Sequence, residues 1–347
     1  MAKKFIYDLS IEELATFLQE SKQPKFRITQ LLDGLYKKHY ASFEQFANLP
    51  NTLRSELEEN FVIDPIVSHS SISSRDKRTV KFLFEVSNHN FIETVLMKYA
   101  DRNTVCVSTQ VGCPLGCVFC ATGQMGFTRN LLPNEIVGQI TFIMRHLEDS
   151  GEKLTNVVYM GMGEPFLNYD AVMRSIDTLT SPDMLNFGSR RITISTVGII
   201  SKIKEFTALD SQVNLAISLH APDNELRSQL VPNNRLHPLK DLLVACREYV
   251  DKTRRRITFE YALIQDVNDS ETQARQLAGL LKGMLCHVNL IALNPSKDYD
   301  FPGSERARVD AFEATLQKAG IPCSVRLRRG IEINAGCGQL AQAQQSK

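Results

Sequence analysis

Gly112-Cys113-Pro114-Leu115-Gly116-Cys117-Val118-Phe119-Cys120 places three cysteines in a C-x3-C-x2-C spacing, just after the strand-forming run at 105–108. Structural zinc asks for four ligands, usually from paired C-x2-C units. No second pair exists here, because Cys106, Cys246, Cys286, Cys323 and Cys337 are each isolated. Three thiolates from one loop suit a 4Fe-4S cluster in which one iron has no protein ligand, since such clusters are otherwise held by four cysteines. An iron left open in this way takes an exchangeable ligand. The competing reading is a zinc knuckle that folds a loop of a non-enzymatic RNA-binding module.

Outward from this loop, short buried-type strands alternate with helix-length segments. The strands are expected at 105–108, 157–160, 192–195, 215–219, 257–263, 288–293 and 324–327. Such alternation predicts an α/β fold of about six parallel βα units, an open or partial (βα)6 barrel. Active sites of these barrels gather at the C-terminal ends of the strands. There the sequence carries Gly161-Met162-Gly163-Glu164-Pro165, Ser195-Thr196-Val197-Gly198, Ser218-Leu219-His220 and Asn294-Pro295. Upstream, residues 1–60 show helical periodicity, with a capping box from Ser10 to Glu13, and read as a small accessory domain. Residues 61–98 hold two alternating runs around Asn88-His89-Asn90, a β-hairpin leading into the barrel domain at 99–340. The stretch 341–347 reads as a disordered tail.

Composition narrows the classes. With 347 residues, 43% hydrophobic and 23% charged, the chain can bury a large core, and no apolar run approaches a membrane span. The N-terminal stretch has a helical rhythm with acids in place of an apolar signal core, which leads to the expectation of a cytoplasmic protein. Eight cysteines in that setting favour metal binding or catalysis over a disulfide framework. Forty basic residues against thirty-nine acidic ones leave a net charge of +1, so a nucleic-acid site has to be a local patch. The candidates are Lys22/Lys25/Arg27, Lys37/Lys38, Arg75/Lys77/Arg78, Arg190/Arg191, Arg254/Arg255/Arg256 and Arg326/Arg328/Arg329, each of which could equally be a solvated face.

The cysteine spacing with Phe119 before Cys120 resembles the radical S-adenosylmethionine superfamily, whose open iron chelates the amino and carboxylate groups of that cofactor. Gly161-Met162-Gly163-Glu164-Pro165 is similar to the superfamily motif that holds the cofactor's amino group. More narrowly, the chain resembles the RlmN/Cfr family of RNA adenosine methyltransferases over nearly its whole length. The matching blocks are 92–97, 106–113, 119–123, 194–198, 218–220, 287–291 with Asn294-Pro295, and 337–340. One departure is Gly336, where the family more often has Ala.

The resemblance implies a radical S-adenosylmethionine barrel with Cys113, Cys117 and Cys120 as the cluster ligands. It implies Gly163, Glu164, Ser195, Ser218, Leu219, His220 and Asn294 as cofactor contacts. Adenine C2 and C8 are not nucleophiles, so methylating them needs a radical route. In the implied mechanism Cys337 takes a methyl group from one S-adenosylmethionine, and a radical made from a second one removes hydrogen from that methyl. The carbon radical adds to the base. Glu93 then accepts the ring proton, and Cys106, the resolving thiol, releases the product by forming a transient disulfide with Cys337. The implied partners are 23S rRNA, tRNA and a one-electron donor such as flavodoxin or ferredoxin, for an enzyme expected to be a monomer. Pro165 after Glu164 resembles the branch that methylates C2; the alternative is C8 of the same ribosomal adenosine. His237, Cys246, Cys286 and Cys323 match no motif and read as structural.

Overall fold

The computed structural model describes residues 3–294, 301–326 and 329–341. Pro295, Leu327, Arg328 and the tail beyond Ala341, all of which entered the sequence reading, lie outside the described residues.

One ten-stranded sheet organises the molecule. Its strands are β1 (Val67–Ser73), β2 (Thr79–Val86), β3 (Asn90–Lys98), β4 (Asn103–Val107), β5 (Asn156–Tyr159), β6 (Ile192–Thr196), β7 (Asn214–Ser218), β8 (Ile257–Leu263), β9 (Cys286–Ala292) and β10 (Cys323–Val325). They lie side by side in chain order. β1 to β4 are antiparallel, so the sheet runs unbroken from the hairpin β2–β3 into the strands that follow. β4 to β10 are all parallel. Parallel neighbours need crossovers, and these carry α1 (Pro133–Glu148), α2 (Tyr169–Thr180), α3 (Ile200–Ala208), α4 (Leu239–Thr253), α5 (Glu271–Leu281) and α6 (Arg306–Lys318). The outer strands β1 and β10 do not pair with each other, so the α/β barrel expected from the sequence is present in its partial, open form.

The parallel strands explain both the core and the site. Successive side chains on a strand point to opposite faces. One set, including Val105, Val157, Ile194, Leu215, Ile217, Phe259, Val288 and Leu290, is fully buried among the crossover helices. α1 meets it with Ile136, Ile140, Ile143 and Leu147, a helical-period apolar stripe with no exposed surface. The other set faces the bore and is rich in polar residues, with the apolar Val158, Ile291 and Val325 interspersed. Near the N-terminal ends of their strands stand Thr104, Asn156, Thr193, Asn214 and Thr258, and farther along come Ser195, Ser218 and Glu260. A bore lined this way is not filled by the branched apolar layers that plug closed barrels.

Residues before the sheet form their own core, from Ile6, Leu14, Leu18, Leu31, Leu35, Phe46, Leu53 and Leu57 to Ile63. The expected capping box is present, with Ser10 Oγ accepting from Glu13 N–H at 3.1 Å and Glu13 Oε2 accepting from Ser10 N–H at 2.7 Å. Lys4–Phe5 pairs in parallel with Phe61–Val62, so the module is closed by a short strand pair that periodicity did not reveal. Contacts that tie it to α1 include Arg145 to Asp64 at 2.7 Å, Asn134 to Asp8 at 2.8 Å and His39 to Glu148 at 2.9 Å. Among the described residues no helix is long and apolar enough to cross a membrane.

Candidate active site

The cysteine loop leaves the C-terminal end of β4 through Gly112. That residue has φ +74°, and a Cβ there would lie 2.0 Å from the Gly126 carbonyl oxygen, so only glycine fits. Cys113 N–H donates to the same carbonyl at 2.7 Å, which sets the start of the loop. Cys113, Cys117 and Cys120 all line one cavity. Burial pushes the Cys113 thiol up to about 12 and raises Cys117 and Cys120, and the sulfurs add to one another's shift. Among the described residues no three His, Cys, Asp or Glu side chains form a site for a single metal ion. Three soft sulfur donors around one cavity, which burial keeps protonated until a cation draws off the protons, suit an iron–sulfur cluster.

Across the cavity, the turn after β5 presents Glu164. Gly163 has φ +98°, and a Cβ there would lie 2.5 Å from the Gln110 side chain. Gln110 Oε1 in turn accepts the Glu164 N–H at 2.8 Å. The Glu164 carboxylate accepts from Phe166 N–H at 3.0 Å and from Val197 N–H at 2.9 Å. Burial outweighs these bonds and holds its carboxyl up at about 7. Ser195 and Ser218, on adjacent strands, have their hydroxyls 3.4 Å apart on the same wall.

His220 follows with φ +61°, buried edge-to-face against Phe119 at 4.8 Å between ring centres. Its Nδ1 accepts from Ala262 N–H at 3.0 Å, so its proton sits on Nε2. Burial, reinforced by Arg227, lowers its pKa to about 3, which keeps the ring neutral. Arg227 is itself fully buried and donates to the carbonyls of Leu219, Ser218 and Val197 and to Asn234 Oδ1. The backbone of Leu219 is therefore committed inside the protein, its N–H to Glu260 O and its carbonyl to Arg227.

A second, adjoining cavity holds Cys106, Asn294 and Cys337. Cys106 is buried on β4, and its thiol is pushed up to about 12 by burial, with Cys337 adding to the shift and Arg326 opposing it. Cys337 is exposed on the C-terminal loop, and Arg326 Nη1 donates to its sulfur at 3.6 Å. That sulfur holds the guanidinium above its ordinary pKa against the effect of burial. All eight cysteines are free, so the disulfide expected between Cys106 and Cys337 is not present. The loop is anchored to the cysteine loop by Ala121 N–H donating to Gly338 O at 2.7 Å and by Thr122 Oγ1 donating to Leu340 O at 2.6 Å. Gly336 is more than a small departure: a Cβ there would lie 2.1 Å from Asn294 Nδ2 and 2.6 Å from Gln339 Oε1, so this glycine lets Asn294 close against the loop.

Glu93 is buried on β3, two residues before Val95, the register partner of Cys106. Its Oε1 pairs with Lys81 Nζ at 2.7 Å, and its Oε2 accepts from Ala341 N–H at 3.0 Å. Burial raises its pKa, with Lys81 opposing. The C-terminal segment thus covers the carboxylate expected to accept the ring proton.

Sequence reasoning missed Arg326, Lys81, Arg227 and Glu260. Arg326 was grouped with candidate surface cations, yet it lines the cavity of the two thiols and donates to Cys337. The signal for Lys81 was a lone cation on a strand otherwise rich in Val, Phe and Leu; Arg227 carried none. Arg190 and Arg254–256 were candidates for a nucleic-acid patch with no place assigned in the fold. They precede β6 and β8 and stand at the end of the bore opposite the thiols.

A parallel sheet with a three-cysteine loop at the end of its first parallel strand, facing a Gly-Glu turn, defines a radical S-adenosylmethionine protein. The family model described as "Radical SAM superfamily" matches residues 107–278, and "Ribosomal RNA large subunit methyltransferase N-terminal domain" matches 6–63. The chain is 44% identical over 335 residues to the probable dual-specificity RNA methyltransferase RlmN of Clostridium tetani, covering 96% of this chain and 95% of that one. It is 46% identical over 333 residues to the RlmN of Caldanaerobacter subterraneus, covering 96% of each. The crystal structure of a radical SAM methyltransferase from Sphaerobacter thermophilus superposes with a TM-score of 0.94 at 46% identity, covering 97% of this chain and 99% of that one. The chain belongs to the family of RlmN-type dual-specificity radical S-adenosylmethionine RNA methyltransferases. Membership implies a 4Fe-4S cluster, S-adenosylmethionine and an RNA substrate.

Proposed function

We propose that the enzyme methylates C2 of an adenosine in 23S rRNA and of an adenosine in certain tRNAs, in the cytoplasm, through an S-methylcysteine on Cys337. The observation that carries this reading is the shared cavity of Cys106 and Cys337, with Arg326 on its wall donating to the Cys337 sulfur and the three-cysteine loop beside it.

Cys113, Cys117 and Cys120 would hold the cluster, and Glu164 would accept from the amino group of S-adenosylmethionine. Gly163, Ser195, Ser218 and the Nε2–H of His220 face the same cavity and would contact the rest of that molecule. Leu219 would contribute through the turn it shapes, and Asn294 from the adjoining cavity. When bound, the cluster and cofactor supply one-electron chemistry that makes a carbon-centred radical; the electron would come from a flavodoxin- or ferredoxin-like donor. Two S-adenosylmethionine molecules would be used per turnover.

The chain's own groups do the rest. Arg326 donates to the Cys337 sulfur, which attacks the sulfonium methyl with loss of its proton. Once Cys337 is joined to the base through a methylene bridge, the adduct has one electron and one proton to lose. The electron would pass to the cluster, and Glu93 accepts the ring proton, after the Ala341 N–H withdraws from it. Cys106 sulfur then attacks Cys337 sulfur, the carbon–sulfur electron pair goes to the methylene carbon, and that carbon takes a proton to become the methyl group. A transient disulfide is left for reduction.

The test is regiochemical. RNA lacking the modification is incubated with enzyme, reductant and methyl-labelled S-adenosylmethionine, then digested to nucleosides. The expected product is 2-methyladenosine; 8-methyladenosine alone would overturn the C2 assignment.

A further inference from the structure

The bore has a second mouth. At the N-terminal ends of the parallel strands lies a cavity of about 800 Å³, the size of small-ligand sites. Its rim carries Arg102, Arg190, Arg254, Arg255 and Arg256, in the segments that lead into β4, β6 and β8. In a chain of net charge +1 this is a concentrated patch. Arg102 stands 3.9 Å from Asp101 and stacks on Tyr99. Arg255 donates to Gln212 and Asn214, and Arg190 to Gln212. Among the described residues no carboxylate forms an ion pair with Arg190, Arg254, Arg255 or Arg256, and the buried Nε of Arg255 has no acceptor. Guanidinium groups converging on an opening without counter-charge are an anion site.

Inside the rim the walls are uncharged hydroxyls and amides, those of Thr104, Asn156, Thr193, Asn214 and Thr258. At the inner end stands Glu260, only 5% exposed. Its Oε1 accepts from Asn289 at 2.9 Å and its buried Oε2 has no hydrogen-bond partner, while the Arg326 guanidinium offsets part of the effect of burial on its charge. A buried carboxylate oxygen without a hydrogen bond calls for an N–H donor. From Arg256 to Glu260 is about 13 Å of extended strand, the length of a nucleotide from its phosphate to the far edge of its base.

We infer that the N-terminal mouth of the bore binds a phosphorylated nucleoside, with phosphate on the arginine rim, sugar among the threonines and asparagines, and a base N–H on Glu260. This site opens at the other end of the bore from the thiols, and its occupancy does not depend on which carbon is methylated. Met160, Glu260 and Arg326 line both cavities, so an occupant would stand against the guanidinium that contacts Cys337.

Calorimetric titration of the full-length holoenzyme tests this with adenosine 5′-monophosphate, guanosine 5′-triphosphate, inorganic triphosphate and a 5′-phosphorylated tetranucleotide RNA. Both free nucleotides are expected to bind, the guanosine triphosphate more tightly than inorganic triphosphate. The double variant Arg254→Ser/Arg256→Ser should weaken binding by at least about tenfold, and Glu260→Gln should weaken the nucleotides but not inorganic triphosphate. Arg190→Glu serves as a second rim variant, with circular dichroism to check folding. Tighter binding of the tetranucleotide than of the monophosphate, lost with the rim variants, assigns the occupant to an RNA strand; equal binding assigns it to a free nucleotide. Absence of binding at millimolar nucleotide, indifference to both rim variants, or equal affinity for guanosine and inorganic triphosphate would overturn the inference.

Discussion

The two mouths of one bore differ in almost every chemical respect. At the C-terminal ends of the strands stand thiols, a buried carboxyl and a neutral imidazole, held by loops that bond to each other across the opening. At the N-terminal ends stand guanidinium groups over a ring of hydroxyls and amides. Yet Asn214 and Ser218, or Thr193 and Ser195, are only four or two residues apart on the same strand. Because the strands are parallel, every chain segment entering one contributes to the lower mouth and every segment leaving it to the upper. The sheet thus sorts the sequence into two chemically distinct ends, and reactive groups that burial holds protonated or neutral are kept apart from cations that face water.

The sharpest way to break this contrast is to remove a cluster ligand. Anaerobically reconstituted Cys120→Ala should lose the iron–sulfur absorbance and reduce methylation by more than about 10³-fold, while nucleotide binding at the rim persists. Retained activity in that variant would sink the assignment of the upper mouth.

Next in size is the division of labour between the two outlying thiols. Cys337→Ala should give neither product nor a protein–RNA adduct, a loss again beyond about 10³-fold. Cys106→Ala should accept the methyl group and accumulate a covalent protein–RNA species, visible as a shifted band on a denaturing gel. If Cys106→Ala carries the methyl on Cys337 and forms no adduct, Cys106 is not the resolving thiol.

The smallest effect concerns charge. Glu164 titrates at about 7, so it is neutral below that pH and an anion above it. A carboxylate that accepts from the amino group of S-adenosylmethionine has to be ionised. Affinity should therefore fall as pH drops through about 7, by up to about tenfold per unit, and level off above. Glu164→Gln should weaken binding and flatten this dependence. An unchanged pH profile in that variant would show that Glu164 does not hold the amino group.

The cysteine loop was legible because its three ligands lie within eight residues and need no tertiary partner to be seen together. Glu164, Ser195, Ser218 and His220 were legible as a group once the βα alternation implied a common end for the strands. Cys106 and Cys337 were paired only by family resemblance, since nothing local links residues so far apart in the chain. Arg326 was misread for a physical reason: a cation near the end of a chain looks solvated until the strand beside it turns its side chain inward onto a sulfur. Arg254–256 and Arg190 could be named as a patch but not placed, because a run of arginines announces charge and not which end of a barrel it rims.

Residue order alone was thus enough for the α/β alternation, the cluster loop and the strand-end motifs, because periodicity and short-range spacing are local properties of a chain. The inward turn of Arg326 and Glu260, the cover of Ala341 over Glu93, the closure of Asn294 on Gly336 and the separation of two mouths came from the folded sheet. Each depends on which face of a strand a side chain takes and which distant segment lies against it. Those are set only when the strands align in register and the helices choose the apolar face, leaving the polar one to line the bore.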